Sequence, residues 1–558
     1  MNECLKVKKN NCMNCYKCIR NCSVKAIGFS SNQADIVQHE CILCGMCFVS
    51  CPQHAKVVRD DLPVAKRLLE GAEPVYASIA PSFAANYPGV SIRSITKALK
   101  SLGFSQIEET AIGATIVKNH YNEMLDAGEQ QIIISSCCHT VNMLIQRYFP
   151  EVLPCLAKVQ SPMMAHSAAI KRENPGVKTI FIGPCISKKN ECDQYPGIVD
   201  CVITFEGLSK WLASEKITLI RDDISAPSGK ASLFPIAGGI IRSMGIRDMG
   251  YRYLVIDGME QCMAALRDIS DGNITERCFI EMSSCQGSCV GGPAMTRTIS
   301  PIKSGLAVER HAGSDDFPVE MPDIKSLYKT MPEQAVSVPH FKTSELEEAL
   351  KRIGKLKPSD ELNCGSCGYD TCREKVAATI SGKADEAMCM PYLMERAQSF
   401  SDIIVNNSKS GVIAMNEALE IQQMNASACL LLGIDDRKEY LGKSIADLLS
   451  PTPFAEVLQE RQNIYERNVY LEEHKKYIDL SVLYDFSFRV IIAVMRDITE
   501  RETAREIKET HDRKAIEITD KVIEKQMATV QIIASLLGET TAETKVALTK
   551  LKETLRNE

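Results

Sequence analysis

Two runs of four cysteines, Cys12-x2-Cys15-x2-Cys18-x3-Cys22 and Cys41-x2-Cys44-x2-Cys47-x3-Cys51, dictate how the start of this chain can fold. No apolar signal-peptide core follows Met1-Asn2-Glu3-Cys4-Leu5-Lys6, so the thiols are read as thiolates holding metal in a reducing cytoplasm, not as disulfide halves. Zinc ribbons pair two cysteines across a longer spacer and do not fit steps of three, three and four. The whole chain carries 24 cysteines in 558 residues, a length that calls for three or more domains. No uninterrupted apolar run approaches membrane-spanning length, and a net charge of −6 with mixed signs gives no footprint for nucleic acid. The expectation is a cytoplasmic multidomain protein with no membrane and no nucleic-acid partner.

The two runs resemble the bacterial two-cluster ferredoxins, in which the fourth cysteine of each run ligates the other cluster. That resemblance assigns Cys12, Cys15, Cys18 and Cys51 to one [4Fe-4S] cluster, and Cys41, Cys44, Cys47 and Cys22 to a second. Ser23 stands where a proline usually follows the fourth cysteine. Residues 1–60 are thus expected to be an electron relay.

A second set of cysteines lies in three separated loops within residues 61–343. Ile132-Ile133-Ile134 precedes Cys137 and Cys138, Thr179-Ile180-Phe181-Ile182 precedes Cys185, and Cys278-Phe279-Ile280-Glu281 precedes Cys285 and Cys289. Helical patterns between these runs predict βα units and a parallel sheet. Loops at the carboxyl ends of such strands converge on one edge, where helix N-termini also favour an anionic cluster.

The three loops resemble the signature motifs of the [FeFe]-hydrogenase active-site domain. The resemblance implies that Cys138, Cys185, Cys285 and Cys289 hold a cubane, with Cys289 bridging to a two-iron unit that carries CO and cyanide ligands. It implies that Lys188, in Pro184-Cys185-x2-Lys188-x2-Glu191, faces a cyanide, and that Cys137 passes protons. Ile79-Ala80-Pro81-Ser82 resembles the strand and loop beside the cluster.

The departures resemble a sensory branch of that family. His139 stands at a proline position, Gly183 and Ser283 at methionine positions, and Ser288 at a glycine position. Tyr121 and Met124 occupy the places of two relay glutamates; His120 and Glu123 are neighbouring substitutes, read as solvated helix residues. Slow turnover follows from a missing carboxylate relay.

Cys364-Gly365-x-Cys367-Gly368-Tyr369-x2-Cys372, with Cys389, resembles a small four-cysteine [4Fe-4S] domain, here 344–398, and a zinc site is the alternative. Residues 300–360, with Val338-Pro339-His340, read as a connecting stretch, and Ser344 onward as a helix with a capping-box start. Residues 399–501 resemble a PAS domain, with His474 read as a solvated residue and no ligand assigned. Residues 502–558 are helical, with Ile516, Ile523, Val530 and Leu537 at a seven-residue repeat that predicts a homodimeric coiled coil hinged at Gly538. Cys4, Cys155, Cys192, Cys201, Cys262, Cys278 and Cys429 fall in no ligand spacing.

The fold class is therefore multidomain α+β and α/β. The function it implies is slow, reversible H2 oxidation and proton reduction, with redox state passed through three further [4Fe-4S] clusters to PAS. Expected partners are H2 and protons, a redox partner such as ferredoxin, hydrogenase maturation proteins and an unidentified signalling partner. A metabolic ferredoxin-linked hydrogenase, or a non-enzymatic iron–sulfur protein without the two-iron unit, stands as the alternative.

Overall fold

Runs of buried β-branched residues build two parallel sheets in the centre of the chain. The computed structural model describes residues 3–30, 33–222, 228–246, 248–296, 300–337 and 339–554. They fall into two compact units, 1–393 and 394–558.

In the first unit, one sheet has the order Gln106–Glu109, Val75–Ile79, Lys178–Gly183, Cys201–Thr204, all parallel. Thr179 to Ile182 are all buried, as a parallel strand covered on both faces by helices requires. The second sheet has the order Arg252–Asp257, Cys278–Ser283, Ile132–Ile134, also parallel. The expected single sheet is thus two. Ile132–Ile134 takes Cys278 to Ile280 as its partner, so Cys138, Cys285 and Cys289 leave one sheet and Cys185 the other. Two helices, Ala111–Ala127 and Pro162–Glu173, cross closely because Gly113 has no side chain: a Cβ there would lie 2.2 Å from the Pro162 carbonyl oxygen.

The N-terminal module is closed by Leu5–Val7 paired antiparallel with Lys56–Val58. Chain order puts the four-cysteine module between the central module and the C-terminal third. In space it rests on the N-terminal module: Arg20 Nη1 donates to the Ser366 carbonyl at 2.8 Å, Lys25 Nζ to that of Gly368 at 3.0 Å, and the Phe29 N–H to that of Lys383 at 2.7 Å. Lys383 also pairs with Glu40 at 2.6 Å.

The stretch 300–360 is more than a connector. After the helices Pro301–His311 and Ile324–Leu327, residues 327–336 lie as a strap on the central module. Leu327 accepts from the Gln160 N–H at 2.9 Å, Lys329 donates to Lys158 at 3.0 Å, and Gln334 and Val336 donate to Gln146 and Arg147, each at 2.9 Å. Val338 lies outside the described residues. The helix Thr343–Arg352 is capped by Lys342, whose side chain cannot accept, so only half of the expected capping box forms: Glu345 Oε2 accepts from the Lys342 N–H at 2.8 Å.

The second unit holds an antiparallel five-stranded sheet, ordered Ile421–Met424, Gly411–Met415, Val490–Asp497, Lys476–Asp485, Ile464–Leu471. Gln423 and Met424 end a strand, and Asn425 then caps the helix Ala426–Leu431. His474 is half-buried in the turn before Lys476. The helix Thr499–Thr554 runs unbroken through Gly538, so no hinge forms there; one helical glycine costs about 1 kcal/mol and need not end a helix. Along it Ile516, Ile523, Val530 and Leu537 stay 53–62% exposed.

Candidate metal centre

Each cysteine loop begins where a buried strand ends. Cys138 caps the helix His139–Tyr148, Cys185 precedes the helix Ser187–Gln194, and Cys289 lies in the short turn Ser288–Gly291. Cys137, Cys138, Cys185 and Cys289 line one cavity of about 110 Å³, with Lys188 and Glu281 also on its wall and Pro81, Phe181 and Phe234 making it mainly apolar. Cys285 lies on the far side of this group, in a cleft it shares with Cys44. Cys289 opens onto the cavity but lies deep in the domain.

Burial, reinforced by the neighbouring thiols, pushes Cys289 up to about 12 and Cys285 well above the ordinary thiol value. Such thiols become good ligands only when a cation compensates the thiolate charge. Four convergent thiols beside a helix N-terminus fit an iron–sulfur group.

Behind the cavity wall lies a charged cluster that the sequence reading missed in part. Lys188 Nζ donates to Glu191 Oε2 at 2.5 Å and to the Cys137 carbonyl at 3.1 Å, and Ser161 Oγ donates to Oε2 at 3.0 Å. The other oxygen, Oε1, pairs with Lys329 from the strap. Glu191 and Lys329 are 0% and 2% exposed. Burial would raise the Glu191 carboxyl, but the two ammonium groups outweigh it and hold it well below the usual range. His139 Nε2 shares a hydrogen bond with Asn190 Oδ1 at 3.1 Å, and its Nδ1, without a hydrogen-bond partner, lies 4.0 Å from Glu191 Oε1. Burial lowers His139 to about 3, so it is neutral.

Behind Cys137, Tyr121 Oη accepts from the Ser136 N–H at 2.9 Å and lies 3.3 Å from Cys137 Sγ. Burial pushes Cys137 up to about 12, so it keeps its proton at neutral pH. His120 and Glu123 pair with each other at 3.0 Å and do not line the cavity. Glu281, which carried no role in the sequence reading, accepts from the Ile241 N–H at 3.1 Å, and burial raises it to about 7. The sign is fixed: the folded state holds this proton more tightly than the unfolded one, so stability falls as pH rises from 4.5 to about 7. The loss amounts to about 3 kcal/mol. Glu281→Gln is expected to remove it, measured by urea unfolding at pH 5 and pH 8 through the single, buried Trp211; an unchanged difference between the two pH values would refute the assignment.

Of the replaced positions, Gly183 has a local explanation and Ser288 has none. A Cβ at Gly183 would lie 2.7 Å from the Phe181 ring, which fills the space a methionine would need. Ser288 sits at φ 63°, in the left-handed region that glycine enters without strain.

Residues 73–293 match the family described as "Iron only hydrogenase large subunit, C-terminal domain". That central domain is an iron-only hydrogenase domain. Residues 360–391 match the family described as "Putative Fe-S cluster", and residues 402–498 the PAS fold. Iron hydrogenase 1 of Clostridium pasteurianum is 26% identical over 281 residues, 40% of this chain and 48% of that protein, so the chain aligns with about half of its length. The periplasmic [Fe] hydrogenase large subunit of Nitratidesulfovibrio vulgaris is 23% identical over 44% of this chain and 76% of that protein. An apo [FeFe]-hydrogenase structure from Chlamydomonas reinhardtii covers 50% of this chain and 100% of its own at 16% identity, with a TM-score of 0.40.

Around the hydrogenase domain the remaining cysteines gather in three places. Cys12, Cys15, Cys18 and Cys51 line one small cavity, and Cys364, Cys367, Cys372 and Cys389 another. Cys22, Cys41, Cys44 and Cys47 are close enough to raise one another's thiols. This last group abuts the hydrogenase domain: a Cβ on Gly45 would lie 2.6 Å from Pro293, and Arg147, in the helix that Cys138 caps, donates to the Cys41 carbonyl at 2.6 Å. Gly368, at φ +99°, holds the four-cysteine module against Ile19, where a Cβ would come within 2.7 Å. Gly368→Ala is expected to weaken that docking by about 2 kcal/mol, from backbone strain plus the clash. Faster proteolytic release of residues 344–393 checks it; release at the wild-type rate would count against it.

Proposed function

We propose that the chain is a cytoplasmic sensory [FeFe]-hydrogenase of low activity. The convergence of Cys138, Cys185, Cys285 and Cys289 from three loops, with Lys188 on the same cavity wall, carries this reading. The four thiolates would hold a cubane and Cys289 would bridge to a two-iron unit in the cavity. When bound, that unit supplies the chemistry that interconverts H2 with protons and electrons. Lys188 would orient it through a charge-assisted hydrogen bond. Phe181, Phe234 and Pro81 keep water sparse, and Cys137 holds a proton at Sγ beside the cavity. Glu281, on the same wall with a value of about 7, is suited to exchange that proton at neutral pH. It would partly stand in for the carboxylates replaced by Tyr121 and Met124.

Electrons would leave by the Cys22, Cys41, Cys44 and Cys47 cluster, the group nearest Cys285, and reach an external ferredoxin or the two other clusters. The redox state of the Cys364–Cys389 cluster would bias the PAS domain and its helix. The exposed seven-residue stripe on that helix supports a homodimer, which sedimentation over a range of concentrations tests; a monomer throughout would refute it.

The central test is infrared spectroscopy of anaerobically matured protein. Bands of metal-bound CO and cyanide, lost together with H2 turnover in Cys289→Ser, are expected. Their absence from efficiently matured wild-type protein would overturn the two-iron reading.

A further inference from the structure

The strap residue Lys329 stands out because it is a fully buried cation with no counterpart in the motifs of the three cysteine loops. It reaches Glu191 across 138 residues of sequence. Its ammonium also lies 4.8 Å from the centre of the Tyr195 ring, and its backbone is fixed by the bond to Lys158 and by the bridge between Val159 and Tyr328. Glu191 therefore gives one oxygen to each of two lysines. A lone Lys–Glu pair is electrically neutral; this buried triad carries one net positive charge. Lys188, the member that lines the cavity, shares its carboxylate and so presents more uncompensated charge to whatever the cavity holds.

We propose that Lys329 is a positioning residue that divides Glu191 between two cations, making the Lys188 side of the cavity net positive and easing reduction of the metal group held there. This rests on the hydrogenase reading above. A buried unit charge is weakly screened, so its effect reaches the metal group through the low-dielectric interior.

The test uses the full chain matured anaerobically. In Lys329→Met the ratio of reduced to oxidised metal group at a fixed potential is expected to fall about tenfold, ~59 mV for one electron, with the CO and cyanide bands moving to lower wavenumber. Lys329→Arg should keep the wild-type values. Glu191→Gln combined with Lys329→Met restores one net positive charge and should recover them, whereas a purely packing role predicts that the double variant is no better than the single. If Lys329→Met stays within twofold of wild type with its bands in place, or if the folded double variant fails to recover, the proposal is overturned. Should matured wild type show no such bands, the two-iron reading fails instead. The charge effect is then read on cubane-only protein reconstituted with iron and sulfide, as the difference between wild-type and Lys329→Met reductive titrations, in which the three outlying clusters cancel; no difference overturns the proposal there.

Discussion

Cys137→Ala is expected to slow both H2 oxidation and H2 evolution by about 10²–10⁴-fold, the usual contribution of a placed acid or base. The thiol lies on the cavity wall, keeps its proton at neutral pH because burial has pushed it up to about 12, and has Tyr121 Oη at 3.3 Å. Tyr121 is itself fully buried and does not line the cavity, so it meets the bound group only through Cys137. Tyr121→Phe should accordingly cost much less than Cys137→Ala. The measurement is H2-dependent dye reduction together with infrared spectra that show the metal unit still bound. Undiminished rates in the alanine variant would remove Cys137 from the proton route.

The second large effect concerns the fold around the site. Glu191→Ala leaves the Lys188 and Lys329 ammonium groups buried side by side with no carboxylate between them. Removing one partner of a buried ion pair costs about 3–5 kcal/mol, and two stranded cations place this case at the upper end. Unfolding in urea, followed by Trp211 within the hydrogenase domain, is expected to shift by that amount in metal-free, reduced protein. Removing Lys329 alone should cost less, because Lys188 and Glu191 still satisfy each other. Equal losses from the two variants would mean that packing, not charge, dominates the cluster.

These two residues show what local sequence can and cannot carry. The cysteine loops were legible because ligand spacing is a short-range property, and Lys188 and Glu191 were legible because they lie three residues apart in the same motif. Lys329 was not, since nothing around it in the chain marks burial; only the strap's return across the domain brings it to Glu191. Glu281 stood inside a motif, yet its raised value comes from burial, against which the distant N–H groups around Ile241 pull only in part. The division of one expected sheet into two has the same long-range origin. Ile132–Ile134 is equally suited to either sheet by composition, and its choice of Cys278–Ser283 is made by long-range pairing. The expected hinge at Gly538 failed for a simpler reason: a single weak residue within 56 helical ones is outweighed by its neighbours.

The seating of the four-cysteine module on the ferredoxin-like module alters what it can report. In the proposed scheme it would be a tap on the supply line and not the terminus of a wire leading out of the hydrogenase domain. A tap registers how full the line is, whichever end filled it. In the proposed scheme, reduced ferredoxin arriving from metabolism and electrons released from H2 would therefore look alike at that junction, and the protein would integrate the two supplies into one signal.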